Sequence, residues 1–177
     1  MWPQRHLSLL VAMIGMAQCN TQVEQGSAEE CPLFFTEIGG CCYLFSSEID
    51  KMGTWEEARA ECQTIGEDTD HIMDLAEVGT SSDCSGDVQF MEMISALGEH
   101  VWLGASDAAQ EGNWVWQKTG EQLSLSNNLW FYSDPSGGTS ENCLLAAVLP
   151  DYHNRANFND YPCSESHHFV CQIFPKF

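Results

Sequence analysis

Two stretches of the chain repeat their apolar residues at helical spacing, and both lie within the first hundred positions. Trp55, Ala58, Cys62 and Ile65 fall on one face of a helix. Thr54 and Glu57 form a capping box ahead of them, and Gly66 follows as a stop signal. The spacing predicts a helix over 55–65, with Glu56, Glu57, Arg59 and Glu61 on its wet side. Phe90, Met91, Ile94 and Leu97 make the second stripe, which predicts a helix over about 86–97, capped by Asp83 or Ser85 and ended by Gly98. Its methionines read as core packing rather than metal ligands.

Beyond residue 100 the helical period disappears. Val101 to Ala105, Trp114 to Trp116, Cys143 to Val148 and Phe169 to Ile173 read as short buried strands, with Gly112-Asn113 as a turn. Nearer the start, Phe34, Phe35, Ile38, Tyr43, Leu44 and Phe45 surround Gly39-Gly40, which suggests two more strands joined by a turn. Residues 117–142 are rich in Gly, Ser, Asn and Asp and form a long loop region containing Trp130-Phe131-Tyr132. Loops of that length in compact domains are usually functional or disordered. Helices first and strands afterwards is an α+β arrangement, with an antiparallel sheet expected. Strand alternation assigns Trp102 and one of the pair Trp114/Trp116 to the core.

Residues 1–19 read as a secretory signal: Arg5 and His6 open it, and the apolar run Leu7 to Ala17 is too short to span a bilayer. Cleavage after Ala17 or after Cys19 fits; the alternative is a buried N-terminal helix. Residues 20–30 are polar and acidic, as a flexible tail would be. Residues 31–177 then form one domain, without internal repeat or linker. No other apolar stretch approaches 18 residues, so no membrane insertion is expected. The formal charge of −20 repels phosphate backbones and anionic bilayers, which argues against nucleic acid as a partner.

The chain has nine cysteines, and removing Cys19 with the signal leaves an even eight. Such a set in a secreted chain implies a disulfide framework, although eight cysteines allow 105 pairings. Adjacent Cys41 and Cys42 would strain a bond to each other. The histidines offer no zinc spacing and read as surface residues, since no two stand at the separation of a zinc-binding helix. There is no nucleophile elbow, phosphate loop or dinucleotide fingerprint, so an enzyme is not expected. A glycosidase would need two carboxyls across a cleft; Asp134 and Glu141 are the nearest candidates, and a bound cation would neutralise both.

Two loop segments place oxygen-bearing side chains next to a cysteine: Asp134 to Cys143 and Asn157 to Cys163. Were those cysteines joined, Asp134, Ser136, Glu141, Asn159 and Asp160 would converge as hard oxygen donors of the kind calcium takes.

In order and spacing, these landmarks resemble the C-type lectin-like domain over about residues 31–173. They are Cys31-Pro32, Cys42-Tyr43-Leu44-Phe45, Trp55 through Cys62, Trp102-Leu103-Gly104, Glu111 through Trp116, Phe158-Asn159-Asp160 and Phe169-Val170-Cys171. The resemblance implies a C-type lectin-like fold with disulfides Cys31–Cys42, Cys62–Cys171 and Cys143–Cys163, which leaves Cys41 and Cys84 as a further candidate pair. It implies a Ca²⁺ ion held by Asp134, Ser136, Glu141, Asn159 and Asp160, beside a cis Pro135, and completed by two vicinal sugar hydroxyls. A second calcium position would use Asp107, Glu111, Glu141 and Asn142. The triplet here is Asp134-Pro135-Ser136, where the family carries Glu-Pro-Asn or Gln-Pro-Asp, and Gly137 stands where an acidic residue is expected; sugar preference does not carry over. The implied function is a secreted, calcium-dependent carbohydrate-binding lectin for microbial surface glycans in innate immunity. Oligomers or multivalent targets would supply avidity. The alternative is a calcium-independent module that binds protein or lipid through the long loop. Among the residues near the implied site, Phe131, Tyr132, Tyr152 and His153 are candidates to stack on a sugar ring.

Overall fold

The computed structural model describes residues 31–79, 84, 86–150 and 153–176. The signal and tail expectations therefore lie outside the described residues.

Strand β1, Thr36–Ile38, turns at Gly39-Gly40 into β2, Cys41–Phe45, and a 3-10 turn follows at Ser46–Ile49. Helix α1 runs Trp55–Thr69. Its capping box is formed: Glu57 N donates to Thr54 Oγ1 at 3.3 Å, and Thr54 N donates to Glu57 Oε2 at 3.0 Å. Gly66 does not end the helix, which continues to an Asp70 cap in the left-handed region. A Cβ on Gly66 would come within 2.7 Å of His71 O and 3.1 Å of Met73 N. This glycine lets the next strand cross close over the helix; it is a packing residue rather than a stop signal.

That strand, β3, is Ile72–Leu75, and helix α2 spans Asp87–Leu97. The N-cap of α2 is Gly86, without a side-chain bond, so the expected Asp83 or Ser85 cap is corrected. Asp87, in the first turn, accepts from Gly79 N instead. Gly98 ends α2 as expected. Strands β4 (Val101–Ser106), β5 (Val115–Trp116), β6 (Cys143–Leu149), β7 (Arg155–Tyr161) and β8 (His168–Phe174) complete the set, with a 3-10 turn at Gly138–Ser140 between β5 and β6.

The strands form one sheet in the order β1-β2-β8-β4-β6-β7, with β3 on β8 and β5 on β4. It is mixed rather than wholly antiparallel: β8 enters the middle of the sheet and runs parallel to β4, Val101 opposite His168 and Trp102 opposite Phe169. The second oxygen-bearing segment, read as a loop, is strand β7, in full register with β6 from Cys143–Tyr161 to Leu149–Arg155. Its buried positions Ala156, Phe158 and Asp160 alternate with half-buried Asn157, Asn159 and Tyr161, the period of a half-covered strand.

Alternation also separates two cores. Val101, Leu103 and Ala105 of β4 pack with Phe90, Met91 and Ile94 of α2 and with Trp114, Trp116, Trp130 and Phe158. Trp102 faces the other way, toward Trp55, Ala58 and Cys62 of α1 and toward Phe131 and Phe169. The sheet therefore lies between the two helices. Both Trp114 and Trp116 are buried, which corrects the expectation of one: they stand two apart and share a face, with Val115 turned outward.

Four disulfides staple this frame: Cys31–Cys42, Cys41–Cys84, Cys62–Cys171 and Cys143–Cys163. The neighbours Cys41 and Cys42 project to opposite faces of β2 and so reach different partners. Cys62–Cys171 closes the longest loop, a sequence separation of 109, worth on the order of 4–5 kcal/mol in the chain-entropy picture. Among the described residues no helix is long and apolar enough to cross a membrane. The histidines are less exposed than expected: His71, His100, His167 and His168 are half-buried, and His167 packs edge-on against Trp102 and Tyr161.

Candidate functional site

The site forms where the long loop meets β7. Phe131 N donates to Phe158 O at 2.9 Å, and Asp134 N donates to Phe131 O at 3.1 Å, so the loop turns sharply beside the strand. The Asp134–Pro135 peptide bond is cis. The Asp134 carboxylate then accepts from Ser136 Oγ at 3.0 Å and from Asn159 Nδ2 at 2.7 Å. Asp160, one residue along β7, projects to the opposite face of the strand. Its Oδ2 accepts from the backbone N–H groups of Ser136 at 2.6 Å and Gly137 at 2.5 Å. Four of the five expected ligands, Asp134, Ser136, Asn159 and Asp160, are thus tied into one network. The Cys143–Cys163 disulfide holds the ends of β6 and β7 beside it.

Glu141, the fifth, folds back over Gly137, where any Cβ would collide with its carboxylate. The glycine that departs from the family pattern is thus required here: an acidic side chain at 137 would displace Glu141.

Electrostatics joins these residues to the second expected set. Asp107 closes β4, is 2% exposed, and accepts from Gly112 N at 2.8 Å. Burial first, then the Asp160 charge, pushes the Asp107 carboxyl up, against the pull of its backbone hydrogen bonds. Asp134 is raised by burial and by Asp160, while Ser136 and Asn159 pull it down. Glu141 is raised by desolvation, then by Asp160 and Asp134. Glu111 is raised by desolvation, then by Asp107 and Asp160. Burial is the largest cause in each, and the Asp160 charge adds to all four, so this buried carboxylate couples the two sets. In the sequence the two sets share only Glu141; their coupling through Asp160 is visible only in the fold. Asn142 meets the second set through its backbone, its carbonyl accepting from Asp107 N at 3.3 Å, while its side-chain amide donates to Thr139 O at 3.1 Å.

Among the described residues three buried carboxylate oxygens have no hydrogen-bond partner, and two of them, Asp160 Oδ1 and Asp107 Oδ1, belong to this site; the third is Glu99 Oε2. Buried acceptors of this kind are costly unless a donor or a cation meets them. Among the described residues, however, no three His, Cys, Asp or Glu side chains stand close enough together to hold a metal. In donor chemistry, hard carboxylate, amide and hydroxyl oxygens, the set fits a Ca²⁺ ion. In the arrangement described, the Asn159 amide and the Ser136 hydroxyl balance part of the Asp134 charge themselves. Of the aromatic candidates, Phe131 is buried in the α1-side core and is removed from the stacking set. Tyr132 and His153 are exposed, and Tyr152 lies outside the described residues.

The family model of the lectin C-type domain matches residues 51–173. The chain is 30% identical over 146 residues to perlucin of Haliotis laevigata, covering 80% of this chain and 82% of that one. It is 23% identical over 167 residues to the C-type lectin mannose-binding isoform of Notechis scutatus scutatus, covering 94% of this chain and 93% of that one. Among solved structures, a calcium-independent type II antifreeze protein superposes with a TM-score of 0.61 at 22% identity, covering 81% of this chain and 95% of that one; that likeness is one of fold.

Proposed function

The chain belongs to the C-type lectin domain family, a family of binding proteins rather than enzymes, and from that membership we propose that it is a secreted, calcium-dependent carbohydrate-binding protein directed at microbial surface glycans. Residues 1–19 act as its signal, 20–30 as a tail and 31–177 as the binding domain. The four disulfides support an oxidising, extracellular setting.

One observation carries the reading. Asp160 is buried, one of its oxygens is unpartnered, and four neighbouring carboxylates are raised partly by its charge. A divalent cation relieves that repulsion at a single point. Asp134, Ser136, Glu141, Asn159 and Asp160 would hold it, with Asp107, Glu111 and Asn142 available to a second ion. When bound, the calcium supplies open coordination positions for vicinal sugar hydroxyls. Asp134 and Asn159 then orient the sugar by hydrogen bonds, and the disulfide-tied strand end holds them in place. Multivalent glycans or self-association supply avidity.

The test is a panel of immobilised mannose, galactose and N-acetylglucosamine with calcium or with chelator. Retention of one sugar that chelator abolishes supports the reading; retention indifferent to chelator, or none on any sugar, removes it.

A second reading is a calcium-independent module for protein or lipid. It is favoured by the way Ser136 and Asn159 already occupy Asp134, and the antifreeze protein that shares the fold is calcium-independent. Sugar-free binding of a protein or lipid partner in chelator would select it.

A further inference from the structure

Strand β7 carries a row of polar side chains on one face. Asn159, whose amide donates to Asp134, is preceded two positions back by Asn157 and four back by Arg155. These three alternate with buried Ala156, Phe158 and Asp160, so they project to the same side of the sheet. The register identifies that side. Arg155 stands opposite Leu149, which packs against the α1-side core, and residues directly opposite each other share a face. His153 and Asn154, both in the left-handed region, lead out of the hairpin turn and into this register. At roughly 3.3 Å per residue, Arg155 lies about 13 Å along the strand from Asn159.

Arg155 also differs from the other cations. Lys51, Arg59 and Lys176 pair with Glu61, Asp74 and Asp70, and Lys118 lies over the Phe174 ring. Among the described residues Arg155 is the remaining lysine or arginine, and its exposed guanidinium has no such partner. In a chain of formal charge −20 carboxylates are abundant, so its freedom comes from its position and not from any shortage of anions. An arginine fork takes a carboxylate or a similar oxyanion through two parallel N–H donors. The net charge meanwhile repels a polyanion, which limits the fitting ligand to one with a single acidic group. Resting on the carbohydrate reading above, we infer that Arg155 is a second recognition point of the same site. It takes one anionic group, a uronate carboxylate or a sulfate ester, on a sugar further along a glycan whose first residue is held at Asp134 and Asn159. Asn157, whose Nδ2 donates to Leu129 O at 3.1 Å, offers its side-chain carbonyl to a hydroxyl between the two points. The ligand class is an acidic oligosaccharide, as opposed to a neutral one or a polyanion.

The test is titration of Arg155→Gln and the unsubstituted protein, in calcium, with three trisaccharides. All share at one end the best-bound of mannose, galactose and N-acetylglucosamine, and they differ at the far residue: glucose, glucuronate or glucose 6-sulfate. The unsubstituted protein is expected to bind at least one acidic trisaccharide about fivefold more tightly than the neutral one, the upper end for an exposed ion pair. Raising salt to about 0.5 M should erase the difference. Which acidic trisaccharide gains more tells carboxylate from sulfate. Arg155→Gln should bind all three alike, at the unsubstituted protein's affinity for the neutral one, with its calcium-induced rise in melting temperature unchanged. No acidic preference in the unsubstituted protein, or one that survives in Arg155→Gln, overturns the inference, while binding of the neutral trisaccharide leaves the carbohydrate reading standing. No binding of any of the three by the unsubstituted protein overturns both.

Discussion

Asp74 and Asp160 are both buried strand aspartates, 3% and 2% exposed, yet their surroundings are opposites. Asp74 on β3 receives Arg59 from α1 at 2.9 Å and 3.1 Å, Gln63 Nε2 at 3.1 Å and Leu75 N at 2.8 Å. Charge and hydrogen-bonding capacity are both met within the protein. Asp160 receives only two backbone N–H groups, both on Oδ2. Its other oxygen is unpartnered, and the groups it acts on are carboxylates. Where a fold only needs stability, it supplies its own cation. Where it leaves a buried carboxylate among others of the same sign, the proposed function has the missing charge brought in from outside.

The largest effect is expected from Arg59→Met, which leaves Asp74 buried without its cation. Because Arg59 is itself 28% exposed, the loss should sit at the low end of the range for broken buried pairs, about 3 kcal/mol in urea unfolding. A loss under about 1 kcal/mol would remove the contrast from its structural side. Asp74→Asn should cost less, about 2 kcal/mol, since the partly exposed guanidinium left behind keeps some solvent. Asp160→Asn, at the same burial, should change metal-free stability by under about 1 kcal/mol or raise it, because it keeps an acceptor for Ser136 and Gly137 while removing the shared repulsion. A loss as large as that of Asp74→Asn would show that Asp160 is already compensated.

Acidity should sharpen the same contrast more gently. Asp107, Asp134 and Glu141 have folded pKa values above the ordinary 3.8 or 4.5. As pH falls toward those ordinary values, the folded state takes up protons before the unfolded one, so these groups make stability rise. His167 works the other way. Burial first, then His100, lowers its pKa below the usual 6.5, against the pull of Glu165. Its contribution is complete above that value and is lost as pH falls through the lowered one. In His167→Phe the fall that sets in below about pH 6.5 should disappear and the carboxylate-driven rise should be exposed. An unchanged pH profile in that variant contradicts the assignment.

Much of this was legible in the residues. The capping box and stripe of α1 are local signals, so Thr54 and Glu57 could be read without the fold. Its end could not, because Gly66 answers to a strand that crosses it later in the chain. β3 escaped notice because it is four residues long and carries Asp74, whose partner Arg59 comes from α1. β7 escaped because Asn157 and Asn159 look like loop residues until pairing with β6 gives them an outward face. That Asp134, Ser136, Asn159 and Asp160 lie together is legible in the chain, and the structure ties these four by hydrogen bonds. The coupling of Asp107 and Glu111 to Asp160 is not legible there, since it depends on the end of β4 lying against the loop that precedes β6, where Asp107 N reaches Asn142 O.

The central claim, that a cation completes the charge around Asp160, is tested most directly by the thermal unfolding midpoint of chelator-stripped protein across a calcium titration. A ligand bound only by the native state stabilises it by about 2.7 kcal/mol at a hundredfold its dissociation constant. The midpoint should therefore climb steadily with the logarithm of calcium concentration in the native sequence and stay flat in Asp160→Asn. A native midpoint that does not move up to millimolar calcium, or an equal climb in both proteins, would contradict it.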